Sequence, residues 1–166
     1  VEYSELDLAY MAGIIDGEGH IGIQRQSRAD GGVQYGSRIA LRMTDRGIVQ
    51  TFADLFDGKM RSEGVFGPLA KRALYSMEFG GRSALPALTA LMPYLRLKKE
   101  QAKLCVELEA LKKRSGIRTR HTGYVEYLKE GKPCRRRSYS ISQEIMDEME
   151  SMYQRVKALN KPPLEV

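Results

Sequence analysis

Apolar residues crowd the segment from Leu6 to Ile15, where Asp7 is the one charged residue. Leu6, Leu8, Tyr10, Met11, Ile14 and Ile15 surround a helical wheel instead of striping it, which predicts a helix covered on all sides. Ser4-Glu5-Leu6-Asp7 supplies a capping box for its start. After Gly19 the period falls to two. Ile21 and Ile23 alternate with His20, Gly22, Gln24, Gln26 and Arg28, and from Tyr35 to Thr44 the residues Ile39, Leu41 and Met43 oppose Arg38, Ala40 and Arg42. Asp30-Gly31-Gly32 between them tolerates positive φ, so the two runs read as a hairpin.

Thr44 or Asp45 can cap the next helix, in which Ile48, Phe52, Leu55 and Phe56 recur at helical spacing before Asp57-Gly58. A second hairpin is expected from Lys59 to Phe79, turning through Gly64-Val65-Phe66-Gly67-Pro68. Its arms set Lys59, Arg61, Glu63, Arg72, Leu74 and Ser76 on one face and Met60, Tyr75, Met77 and Phe79 on the other. Ser83 is expected to cap a helix through Leu91, broken by Pro93, and Lys98 to Arg114 resumes with Leu104, Leu108 and Leu111. Gly116 to Ser140 reads as an irregular basic loop. Ile145, Met149, Met152, Val156 and Leu159 then step by four, three, four and three, predicting a last helix from about Ser142. The order is α-β-β-α-β-β-α plus C-terminal helices, an α+β class with an antiparallel sheet. Two hairpin-then-helix units suggest an internal half-repeat.

With 166 residues, 42% apolar and 29% charged, the chain fits one globular domain over 1–166. Its core is expected over about 4–114, with the basic loop and C-terminal helix over about 115–160. The net charge of +6 is concentrated: Lys112 to Arg137 holds ten basic and two acidic residues, which favours a polyanionic partner. Cys105, Cys134, His20 and His121 are too few and too scattered for a disulfide framework or a zinc site, and a reduced compartment follows. No apolar run reaches the roughly 18 residues of a membrane span, so no membrane partner is expected. The chain opens on Val1, which leaves its native start and targeting unread.

Candidate chemistry gathers in Met11-Ala12-Gly13-Ile14-Ile15-Asp16-Gly17-Glu18-Gly19. Gly13 and Gly17 lie four apart on one helix face, where the missing side chains let a second backbone approach. Glu18 sits at the helix C-terminus, where the macrodipole disfavours a negative charge. A symmetric pairing of two copies brings a second Glu18 near it, and a hard divalent cation with oxygen ligands is the natural remedy. Metal plus paired carboxylates suits phosphodiester hydrolysis. The same residues also fit an ordinary buried helix whose glycines serve a turn and whose Glu18 is solvated.

This nonapeptide resembles the LAGLIDADG motif, with Met11 for the first Leu, Ile14 at the fourth place, Gly17 for the seventh Ala and Glu18 for the eighth Asp. Strand alternation follows it at once, and the resemblance extends from about Ser4 to Gln101, more loosely through the C-terminal helices. It implies a saddle-shaped, curved antiparallel sheet. One motif copy implies a homodimer with Met11, Gly13, Ile14 and Gly17 at the interface. Glu18 matches the metal-binding acidic position, with the Gly17 carbonyl as a second metal contact. The ion implied is Mg²⁺, with Mn²⁺ as a substitute. Pro93 to Gln101 is similar to the stretch that carries a basic residue at the edge of the active site, and Lys98 falls on that place, where a positive charge can stabilise a developing phosphorane. Asp45 falls where relatives often carry a polar, water-positioning residue, and an acid in a first helical turn is explained equally by the dipole.

If the apolar strand positions face the core, Gln24, Gln26, Arg28, Arg38, Arg42, Lys59, Arg61, Arg72 and Ser76 share the opposite face, interrupted among acids only by Glu63. Arg reads guanine and Gln reads adenine in a major groove, and the resemblance makes this face the DNA-binding surface. The basic loop is expected to track flanking phosphates. The leading expectation is a site-specific homing endonuclease cutting a long, near-palindromic double-stranded DNA, by metal-dependent hydrolysis. The alternatives are an RNA-splicing maturase or a DNA-binding regulator on the same fold without cleavage, and a basic dimerisation module that binds nucleic acid nonspecifically. An intracellular site, in a bacterial or phage cytoplasm or an organelle, accords with the resemblance.

Overall fold

The computed structural model describes residues 4–27, 32–65, 72–116, 121–139 and 141–161. Helix α1 (Glu5–Gly17) opens on the predicted capping box: the Asp7 N–H donates to Ser4 Oγ at 3.2 Å, and the Ser4 N–H donates to Asp7 Oδ2 at 3.3 Å. Strands β1 (Gly19–Ser27) and β2 (Val33–Met43) pair antiparallel, with Gly19 opposite Leu41 and Ser27 opposite Val33. Asp45 caps α2 (Arg46–Leu55), accepting the Ile48 N–H at 3.0 Å. Strands β3 (Arg61–Gly64) and β4 (Leu74–Gly80) complete a four-stranded antiparallel sheet of order β1-β2-β4-β3. A 3₁₀ turn (Gly81–Ala84), α3 (Leu85–Leu91), α4 (Lys99–Arg114) and α5 (Gln143–Leu159) follow, with a separate hairpin of β5 (His121–Lys129) and β6 (Lys132–Tyr139) between α4 and α5.

The sheet's strict alternation sorts its side chains as the period-two pattern requires. Ile21, Ile23, Tyr35, Ser37, Ile39, Leu41, Met77 and Phe79 are buried on the inner face. They join Met11 and Ile15 of α1, Phe52 of α2, Leu88 and Leu91 of α3, Leu108 of α4 and Met149 and Val156 of α5 in one core. Phe52 meets Phe79 edge-on at 5.6 Å between ring centroids. Because α5 contributes to this cluster, the packed unit reaches well beyond residue 114.

Three local expectations change. Ser83 lies inside the 3₁₀ turn, bonding back to Gly80, and α3 starts later, at Leu85, with Pro86 in its first turn. The stretch expected as an irregular loop contains β5 and β6, closed by Glu130 (φ 53°) and Gly131 (φ 76°). Two consecutive positive-φ residues make the tight turn whose twist suits a two-residue hairpin. The strand-favouring residues Tyr124, Val125, Tyr127 and Leu128 ahead of Glu130-Gly131 carry that signal, which the arginine run obscures. Finally, within one protomer α1 is not covered all round: Leu6 and Tyr10 are 81% and 57% exposed. The expected turn at Asp30-Gly31-Gly32 and most of that from Gly64 to Pro68 lie outside the described residues.

Candidate functional site

Helix α1 runs into β1 with only Glu18 between them. A Cβ on Gly19 would lie 2.7 to 2.9 Å from the Ile15 side chain and backbone, so this reversal admits glycine alone. Glu18, the C-cap, donates its N–H to the Ile14 carbonyl at 2.8 Å while its side chain projects to the surface. No described residue gives its carboxylate a hydrogen bond or ion pair.

The last turn of α1 contains no basic residue of its own. Lys98, from just before α4, supplies the missing charge. Its Nζ donates to the carbonyls of Ile15 (2.8 Å), Asp16 (2.7 Å) and Gly19 (2.8 Å). A cation on the final carbonyls complements the negative end of the macrodipole, so it offsets the cost of placing Glu18 there. Burial pulls the Lys98 pKa down, and the nearby carboxylates of Asp16 and Glu18 oppose that pull. Asp16 makes the reverse connection. Its Oδ2 accepts the N–H groups of Arg96 (2.7 Å) and Leu97 (3.2 Å), and its Oδ1 accepts that of Lys98 (2.9 Å). Side chain on backbone in both directions, the pair clamps the motif helix to the start of α4.

This geometry adds to two expectations. Lys98 directs three donors to the backbone carbonyls of Ile15, Asp16 and Gly19, so within this protomer it compensates charge and holds the backbone on either side of Glu18. Asp45 serves as the α2 cap and shares no hydrogen bond with Glu18 or Lys98. Asp16 is the site residue that sequence reasoning missed. The available signal was a second acid within an apolar helix, a position that needs a partner.

Among the described residues no three His, Cys, Asp or Glu side chains converge within one protomer. The donor set nonetheless fits a hard cation at a shared site. Glu18 offers an open carboxylate, and Gly17 is not among the carbonyls that Lys98 occupies. Along α1, Leu6, Tyr10, Gly13 and Gly17 step by four, three and four down one exposed face. Nothing lies within 4 Å of a Cβ built on either glycine. Ile14 is half-buried beside this stripe. Met11 is not part of it: at 0% exposure it belongs to the protomer's own core, because the helical wheel turns it inward.

The outer sheet face gathers Gln24, Gln26, Arg38, Arg42, Arg61 and Ser76, and Lys59 and Arg72 flank it as exposed residues. Arg28 lies outside the described residues. Gln26 Nε2 donates to Gln24 Oε1 at 3.5 Å, and both line a groove of ≈250 Å³ with Gln34 and Lys112. Glu63 is not the lone acid on this face, since Glu78 also points outward and pairs with Arg38. Arg42 pairs with Glu63 at 2.6 Å. His20, opposite Ala40, stays neutral more readily than a free histidine, through burial first and then the neighbouring cations Arg38 and Lys98.

No family model matches the chain. The chain is similar to the DNA endonuclease I-CvuI of Chlorella vulgaris, 33% identical over 109 residues, which covers 64% of this chain and 65% of that protein. The match thus spans just under two thirds of the curated relative. Among solved structures, I-CvuI in complex with the I-CreI target in 2 mM Mg, its DNA not cleaved, superposes with a TM-score of 0.67 at 18% identity, covering 98% of this chain and 87% of that one. The same protein was also solved with its own target in 2 mM Ca. The archaeal intron-encoded homing endonuclease I-Vdi141I, complexed with DNA, gives 0.65 at 10% identity over 97% and 88% of the two chains. At these identities the superpositions establish a common fold.

Proposed function

We propose that the chain is a member of the LAGLIDADG homing endonuclease family and acts as a homodimeric, site-specific DNA endonuclease that cuts both strands of a long, near-palindromic target. The observation that carries this reading is the Glu18 carboxylate, without a partner among the described residues and held at the end of a helix whose outward stripe is apolar and glycine-lined. Pairing two such stripes about a twofold axis brings the two Glu18 residues together, and twofold protein symmetry calls for a twofold-related target. Leu6 and Tyr10 would be covered in the same contact.

Glu18 and the Gly17 carbonyl would hold the divalent ion, Mg²⁺ in this reading, which supplies Lewis-acid stabilisation and an activated water when bound. Lys98 and Asp16 keep that end of α1 in register with α4, and the positive charge of Lys98 stays within the electrostatic reach of Glu18. The outer sheet face enters the major groove, where Gln24, Gln26, Arg38 and Arg42 read base edges and Lys59, Arg61, Arg72 and Ser76 serve the rim. The basic β5–β6 segment is assigned to flanking phosphates, which carry affinity and no sequence information.

The test is incubation of wild type and Glu18→Gln with a plasmid library of randomised sites in Mg²⁺. Wild type is expected to give discrete double-strand cuts. The variant should lose them by at least about a hundredfold, the scale of removing one electrostatic catalytic group, with DNA binding and dimer mass retained. Tight binding without cuts by wild type would replace this reading with the regulator or maturase, and a monomer in sedimentation at working concentration would remove the shared site.

A further inference from the structure

On a face that meets a polyanion, each carboxylate costs affinity, because it repels the phosphates that the neighbouring cations attract. Two carboxylates nonetheless stand on the outer sheet face, and each holds an arginine. Glu78 lies diagonally across from Arg38: it is opposite Ala40, while Arg38 is opposite Gly80. Glu63 reaches Arg42 at 2.7 Å to Nε and 2.6 Å to Nη2, two contacts that fix the plane of the guanidinium. Its position depends on a register shift between Ser62 and Gly64, and Gly64 has φ +75°. Such a bulge re-aims a side chain. Here it lets Glu63 span β4 from β3 to β2.

Between the two arginines lies Ala40, a small residue that floors a groove of ≈300 Å³ lined also by Lys59, Arg61 and Ser76. Arg38 is held by one nitrogen: Nη2 serves Glu78, while Nε is buried with no partner among the described residues and so faces away from the groove's solvent. The Ser76 hydroxyl first of all, then Arg42 and Arg61, keep the Glu63 carboxyl below the usual carboxylate range, so it is ionised at neutral pH. Exposed ion pairs of this kind add little to stability. The arrangement is therefore one of orientation on a face where orientation decides base readout.

We infer that Glu63 and Glu78 are positioning residues for sequence discrimination, holding Arg42 and Arg38 with one guanidinium edge toward the groove so that each meets guanine in a single geometry. The inference rests on the outer face being the DNA-reading surface. Bidentate Arg–guanine contacts discriminate only when the fork is held in the base-pair plane. An arginine released from its carboxylate keeps its attraction for any phosphate and loses its preference among bases.

Two opposite effects follow from one substitution. Glu63→Gln and Glu78→Gln should each raise affinity for a scrambled duplex several-fold, by removing a repelling charge. Each should lower the ratio of specific to scrambled binding about tenfold, within the range of one base contact, with the loss concentrated at guanine positions. The probes are a duplex recovered by wild-type selection from a randomised library and a scrambled duplex of equal length, at one fixed salt concentration. Glu107→Gln, which makes the same charge change on the exposed side of α4, should leave the ratio unchanged. The denaturation midpoints of all three should match wild type. An unchanged ratio in both sheet variants, an equal fall in Glu107→Gln, or a fall that tracks the denaturation midpoint would overturn the inference. A wild type that binds both duplexes equally would instead overturn the DNA-reading premise beneath it.

Discussion

The two faces of the four-stranded sheet carry similar polar groups and treat them in opposite ways. On the inner face the Ser37 N–H and Oγ both donate to Glu109 Oε1, at 3.2 and 2.8 Å, and Lys112 closes the cluster at 2.8 Å. Tyr35 and Arg25, paired across β1 and β2, converge on Glu150 of α5. On the outer face Gln24 and Gln26, one residue to either side of Arg25, line an open groove. A polar group turned inward must find protein partners or cost about 1 to 3 kcal/mol, whereas one turned outward is satisfied by water and keeps its donors for a ligand. The inner face is thus committed to stability and the outer face is left open to a ligand, the recognition surface of the proposed function, and a single residue of register separates the two.

The sharpest way to break this division is on the inside. Glu109→Ala leaves Lys112 and the Ser37 N–H without their carboxylate under the sheet, and a loss of about 3 kcal/mol or more is expected from breaking a buried pair; a urea titration would measure it, with base preference unaltered in the folded fraction. Asp16→Ala is expected to cost roughly 2 kcal/mol through three lost charge-assisted hydrogen bonds. Cleavage should fall with it, and faster amide exchange at Arg96, Leu97 and Lys98 would separate this effect from general unfolding.

The same inner carboxylate gives the division a pH signature. Burial pushes the Glu109 pKa up, but Lys112 and the two Ser37 hydrogen bonds outweigh it, so the group sits below its ordinary 4.5. Its folded-state value being the lower one, the stabilisation is present above about pH 4.5 and is lost as pH falls through the folded value. A series of urea midpoints from pH 6 downward should show that slope in wild type and a shallower one in Glu109→Gln. The smallest stability effect belongs to the outer face: Gln26→Ala should stay within about 0.5 kcal/mol of wild type, while a binding selection shows altered preference at one target position. A stability loss as large as that of Glu109→Ala would erase the distinction between the faces.

Much of this was legible in the chain because periodicity reports burial directly. The alternation through Ile21, Ile39 and Leu41 fixed which strand face is buried, the box at Ser4 and Asp7 set the start of α1, and Glu18 stood out by its place after an apolar helix. Other features were hidden for physical reasons. Glu78, two residues past Ser76, follows the same alternation onto the outer face, and only its pairing with Arg38, 40 positions away, needed the tertiary structure. Met11 passed for an interface residue because a helix apolar nearly all round does not say which side faces its own core. The β5–β6 hairpin was masked by composition, since five basic residues from Lys129 to Arg137 speak of solvation before they speak of pairing.

The sequence by itself determined the order of elements, the split of the sheet into an apolar and a polar face, and the resemblance of residues 11–19 to the LAGLIDADG motif, because these depend on local patterns of two, three and four residues. The tertiary structure decided how the charges are spent. Lys98 meets α1 from 82 residues beyond Asp16, and Asp16 answers by holding the amides ahead of α4. Such contacts are set by distance and angle between elements that only packing brings together, and it is they that leave Glu18 as the open carboxylate of the motif helix.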